Sequence, residues 1–242
     1  MCPNRMRKVK TMKFDYRYKK FSVLGDSIST LLGYSEPDYA AFYDTSHKIK
    51  SGVLTPSDTW WGIVIERLGG ELLVNNSISG STVTRHPLYE IPSYACSDER
   101  TSSLHKEEAT PDVIMIYMGT NDWGSGVRVN DGERNSTSLF SPAYDTMLSK
   151  IKNNYPNAEI WCLTLPISSC ESLSRFEFPY FFGGRHIDEY CEAIRSCAEK
   201  FGCRMIDLRE FSSSEPYDTI DGFHPNAQGM QSIARGVLEC IK

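Results

Sequence analysis

Apolar runs of strand length alternate along this chain with segments of helical pattern, and that alternation constrains the fold more than any single motif does. The runs are FSVLG (21–25), LLVNN (72–76), VIMIYMG (113–119), EIWCLTL (159–165) and CRMIDL (203–208). The third and fourth are almost continuously apolar, as in parallel strands covered on both faces. Helical patterns fall between and after them at 58–70, 141–156, 186–202 and 226–242. Their ends carry the expected signals: Asp58 or Thr59 in front of the first with Gly69 and Gly70 behind it, Ser141 then Pro142 opening the second, and Gly202 closing the third. Beta–alpha alternation of this kind implies an α/β protein whose five-stranded parallel sheet lies between two layers of helices.

A chain of 242 residues with 40% apolar content suits one sizeable domain, read here as residues 20–242 behind a basic tail at 1–19. A net charge of −5 argues against a nucleic-acid partner. No apolar segment approaches the ~18 residues of a membrane span, and the basic N-terminus lacks the ~7–15-residue apolar stretch of a secretory signal. The sequence therefore reads as a cytoplasmic protein without a membrane partner, or as a secreted or periplasmic one whose export signal has been removed. Its oligomeric state is not legible. The eight cysteines show no C-x-x-C pair and no zinc-ligand spacing, so neither a metal nor another cofactor is expected, and the thiols read as buried and free.

The irregular stretches at 31–57, 81–111, 123–140 and 166–185 are long for a compact domain, and such loops are usually functional. Ligands of open parallel sheets bind beyond the carboxyl ends of the strands. Ser27, Gly80 and Asn121 each follow such an end. A serine hydroxyl attacks a carbonyl only if a base takes its proton and donors hold the oxyanion. His224, within DGFHPNAQG, has Asp221 three residues before it, a spacing that places both on one face of a turn. Asp221 can accept from Nδ1 and leave Nε2 free for Ser27. The Ser27 and Gly80 backbone N–H groups and the Asn121 amide are the candidate oxyanion donors. The bland alternatives are a helix-capping Ser27, a turn-forming Asn121 and a surface Asp221–His224 pair.

Taken together these residues resemble the SGNH/GDSL hydrolase (lipase/acylhydrolase) family. Its G-D-S-x-S block matches Gly25-Asp26-Ser27-Ile28-Ser29, its block-two glycine Gly80, its G-x-N-D Gly119-Thr120-Asn121-Asp122, and its D-x-x-H Asp221-Gly222-Phe223-His224, in the family's order. The resemblance implies a flavodoxin-like three-layer α/β/α sandwich and hydrolysis of esters, sometimes thioesters or amides, without a metal. It implies Ser27 as nucleophile, His224 as base, Asp221 as its orienting acid, and Ser27, Gly80 and Asn121 as the oxyanion hole. Asp26 reads as structural, and Asp122 as a brace for the Asn121 loop.

Substrate contacts are less marked. Trp123 and His86 are candidates to border the pocket, while Trp60 and Trp61 read as packing residues. RFEFPYFFGG (175–184) is dense in aromatic side chains, either a platform for a sugar ring or acyl chain, with Phe181 its candidate contact, or a flap over the core. Asn75 and Asn135 match the glycosylation triplet, a pattern common by chance. The G-x-S-x-G elbow of other α/β hydrolases is absent, as are the companions S-D-N and K-T-G of penicillin-binding enzymes and the glycine-rich phosphate loops. The expected activity is cleavage of a small-molecule ester of short acyl chain, such as an acetylated carbohydrate. The alternatives are a thioesterase or lysophospholipase of the same family, or a carbohydrate-binding protein without catalysis.

Overall fold

A computed structural model describes residues 15–35, 39–85, 94–132, 136–169 and 178–241. Its main sheet is built from β1 (Lys20–Gly25), β2 (Glu71–Ser77), β3 (Val113–Tyr117), β4 (Glu159–Leu163) and a last strand at Arg204–Ile206. A separate two-stranded ribbon pairs β5 (Phe181–Phe182) with β6 (Arg185–His186), so the last sheet strand is β7. All neighbours in the main sheet are parallel, in the order β2-β1-β3-β4-β7. Every residue of β3 is buried, as its unbroken apolar run requires.

The helices are α1 (Thr45–Ser51), α2 (Trp60–Leu68), α3 (Asp98–Ser102), α4 (Thr120–Gly124), α5 (Phe140–Asn154), α6 (Ile187–Phe201), α7 (Leu208–Ser212) and α8 (Ala227–Cys240). The chain leaves β1 toward β2 on one side and reaches β3, β4 and β7 on the other. Right-handed crossovers then send α2 and α5 to opposite faces. Accordingly α2 packs on α8, and α5 packs on α6. The result is a three-layer α/β/α sandwich of flavodoxin-like strand order.

Element ends differ from the sequence expectation where a short polar signal wins. The run at 113–119 stops as a strand at Tyr117, because Gly119 turns at φ +125° and α4 begins at Thr120. The run at 203–208 ends at Ile206, because the Asp207 carboxylate accepts the Glu210 N–H and starts α7. Residues 15–19 are not tail-like. The Tyr16 ring is buried against Phe21 and Trp161, and the Tyr18 N–H donates to the Gly69 carbonyl at 2.8 Å. The basic residues at 1–14 lie outside the described residues. Among the described residues no helix is long and apolar enough to cross a membrane. Cys96, Cys162, Cys191 and Cys197 are buried and free; Cys203 and Cys240 are free and less enclosed.

Candidate active site

β1 delivers Ser27 to the sheet's carboxyl edge, where β1 lies between β2 and β3 at the point of reversed strand order. Gly25 permits the turn: a Cβ there would come within 2.5 Å of the Ser29 Cβ and 2.7 Å of the Ser77 Oγ. Ser27–Ser29 form one 3-10 turn, capped by the Asp26 Oδ1 accepting the Ile28 N–H at 3.0 Å. Trp60 and Trp61, both buried at the start of α2, brace the turn from behind. Their indole N–H groups donate to the Ser29 Oγ at 3.1 Å and the Ser29 carbonyl at 3.0 Å.

The other end of the sequence meets this turn. The His224 Nε2 lies 2.9 Å from the Ser27 Oγ, and its Nδ1 lies 2.7 Å from the Asp221 Oδ2. The Asp221 Oδ1 accepts the backbone N–H groups of Phe223 at 3.0 Å and His224 at 2.8 Å. Burial pushes the Asp221 carboxyl up, but the His224 ring, these N–H groups and the His224 charge together bring it down to about 2. The carboxylate thus stays ionised and presents its His224 partner in one tautomer, with Nε2 toward Ser27. The α8 cap fixes the segment, since the Asn226 Oδ1 accepts the Gly229 N–H at 2.9 Å and the Asn226 N–H donates to the Asp218 carbonyl at 3.1 Å.

Gly80 turns at φ +78°, which only glycine adopts without strain. The Asn121 Nδ2 donates to the Ser81 carbonyl at 2.8 Å, so one amide hydrogen ties the β3 end to the Gly80 turn and the second is left for another acceptor. Asp122 extends the tie, accepting from the Val83 N–H at 2.8 Å, the Thr84 N–H at 3.0 Å and the Thr84 hydroxyl at 2.7 Å. Ser27, Gly80 and Asn121 therefore share one edge of the sheet, with donor groups on three successive connections.

Two fully buried carboxyls flank this edge. Burial pushes both Asp26 and Asp122 up to about 6, against the hydrogen bonds that each accepts. The Asp26 Oδ2 has no hydrogen-bond partner among the described residues, although the nearby Thr120 side chain and His224 favour its charged form.

The family model for GDSL-like lipase/acylhydrolase matches residues 19–168, more than half of the chain. The chain belongs to that family. Two solved structures described as GDSL-like lipases agree over nearly their whole length. The one from Bacteroides ovatus is 27% identical with a TM-score of 0.70, covering 92% of this chain and 97% of its own. The one from Bacteroides uniformis is 30% identical with a TM-score of 0.69, covering 92% and 94%. A multidomain esterase of Ruminococcus flavefaciens is 25% identical over 139 residues, 55% of this chain; the match spans only 16% of that larger protein. Membership makes the chain a hydrolase acting on ester bonds.

Within this GDSL hydrolase the remaining candidates are placed unevenly. Trp123 is 4% exposed, stacked on Phe178, with its indole N–H donating to the Arg185 carbonyl at 2.9 Å. It lines a small cavity together with Thr120, Phe178 and Phe223. Phe181 is 36% exposed on β5 with its ring edge-on to His186 at 4.7 Å. Phe178 and Phe182 instead pack with Trp123 and Phe223, as the flap alternative for this aromatic loop supposes. His86 and Asn135 lie outside the described residues.

Three site residues escaped the sequence reading. Arg100 of α3 is fully buried and donates to the Asn76 side chain, to the Ser81 Oγ at 2.7 Å, and to the carbonyls of Gly25 at 3.0 Å and Asn76 at 2.8 Å. It joins the ends of β1 and β2 to the Gly80 turn. Phe42 lies flat on the His224 ring, and the Tyr43 hydroxyl donates to the Pro225 carbonyl at 2.8 Å. Their segment, AFYDTSH, also contains a second D-x-x-H, Asp44 to His47. Spacing alone does not separate that pair from Asp221–His224. The structure does, because Asp44 caps α1 and His47 lies on the far face of Phe42.

Proposed function

We propose that this GDSL hydrolase is a serine esterase that removes short acyl groups, acetyl above all, from a hydroxyl-rich alcohol such as a sugar. The observation that carries the reading is the chain of contacts Ser27 Oγ, His224 Nε2, His224 Nδ1 and Asp221 Oδ2, at 2.9 and 2.7 Å. His224 takes the Ser27 proton as Oγ bonds to the substrate carbonyl carbon. The tetrahedral oxyanion rests on the Ser27 and Gly80 N–H groups and the free Asn121 amide hydrogen. The C–O bond to the alcohol breaks as the imidazolium returns the proton to the leaving oxygen. Water, deprotonated by the same imidazole, then hydrolyses the acyl-enzyme and frees Ser27.

The short acyl group is supported by the apolar wall. The Phe178, Phe182 and Phe223 rings, the last adjacent to His224 in sequence, pack on one another with centroids 4.8–5.9 Å apart. The hydroxyl-rich alcohol is supported by the polar groove beside Asp221, lined by Ser169, Asp218, Thr219 and Asn226. The test is kcat/KM for p-nitrophenyl acetate, butyrate and octanoate, then for acetylated sugars, with Ser27→Ala as control. Ser27→Ala should lose activity by about 10³-fold or more, and octanoate should fall at least about tenfold below acetate. Equal turnover by the Ser27→Ala protein would overturn the mechanism, and a flat acyl profile the short-chain assignment.

A further inference from the structure

We propose that Phe42 is a positioning residue for the base, holding the His224 imidazole toward Ser27 and supporting the imidazolium that forms when it takes the Ser27 proton. This rests on the Ser27–His224 reading above. The two rings overlap face to face, with centroids 3.4 Å apart and planes 8° from parallel. Two neutral rings avoid full overlap, because their quadrupoles repel. A cation over the same face is attracted. The stack therefore gains most once His224 has taken the Ser27 proton, which is stabilisation specific to the reaction's charged stages.

The loop is fastened to both partners that it aligns. The Phe42 N–H donates to the Thr30 Oγ1 at 2.9 Å, and the Thr30 hydroxyl donates to the Ser27 carbonyl at 2.8 Å. One residue on, the fully buried Tyr43 holds the Pro225 carbonyl, next to His224. The far face of Phe42 is covered by the His47 ring at 4.4 Å, itself held by Asp44 at 3.0 Å. The ring is thus confined on both faces. The titratable groups around His224 are Asp221 on its own loop, Asp26 beyond β1, Tyr43, and, behind Phe42, Asp44 with His47.

The experiment compares Phe42→Leu, which keeps apolar bulk without a π face, with Phe42→Tyr, which keeps the face. The readout is kcat and KM, separately determined, for p-nitrophenyl acetate. Phe42→Leu should lower kcat about tenfold with little change in KM, since the imidazolium that forms during the reaction loses support. Phe42→Tyr should restore kcat. Should Phe42→Leu fail to fold, Phe42→Met carries the same expectation. Wild-type behaviour of the Leu variant, a loss carried by KM alone, or equal loss of kcat in the Leu and Tyr variants overturns the proposal. Ser27→Ala, run alongside, separates the two readings: an active Ser27→Ala protein sinks the esterase mechanism, whereas an inactive one beside an unchanged Phe42→Leu sinks only the role of Phe42.

Discussion

Asn121 spends one amide hydrogen on the Ser81 carbonyl and keeps the other, so one side chain both builds the donor cluster and belongs to it. Replacing it by alanine should therefore lower kcat by about 10²–10³-fold with a smaller change in KM, measured by steady-state kinetics on the preferred ester. An unchanged kcat would remove Asn121 from the oxyanion hole. The side chains that meet around Ser27 at the sheet's carboxyl edge were legible because their chemistry is local to short patterns. G-D-S, G-x-N-D and D-x-x-H each place a chemically distinctive side chain beside a turn. Phe42 and Arg100 were not legible, because what they do depends on partners remote in sequence. Phe42 meets His224 across most of the chain, and Arg100 meets Gly25 75 residues away. Nothing in AFYDTSH or SDERTS marks those contacts.

The ends of β1, β2 and β3 are tied together by polar groups in addition to their apolar packing. Arg100 on α3 binds two of these ends, and burial lowers its own pKa to about 10. A lysine there has one point of attachment where the guanidinium has a fork. Arg100→Lys should leave buried carbonyls unsatisfied and cost at least about 2 kcal/mol in urea unfolding. A variant as stable as the parent would mean that these carbonyls find other partners. Strand and helix existence was legible from periodicity, and the sheet follows from it. The short helices α1, α3, α4 and α7 were not, since each has five to seven residues and depends on its neighbours, with a side-chain cap on α1, α3 and α7 but none on α4.

Over the whole molecule the buried and paired carboxyls set opposite trends with pH. Asp221, brought down to about 2, contributes stability that is complete above its unfolded pKa near 3.8 and is lost as pH falls toward 2. Asp26 and Asp122, pushed up to about 6, bind their protons more tightly when folded, so their contribution is present below 3.8 and is lost as pH rises through 6. The melting temperature should decline between pH 4 and 7 on this account, and Asp26→Asn, which cannot ionise, should decline less. Calorimetry across that interval giving identical slopes for both proteins would contradict the assignment for Asp26.

The hydroxyl and the imidazole it meets are 197 positions apart, one leaving the first sheet strand and the other preceding the last helix. A ribosome therefore has to add all the residues between them before the two side chains can meet. Until that late segment docks, the serine has no imidazole beside it, so the esterase activity proposed for the pair cannot start on the emerging chain.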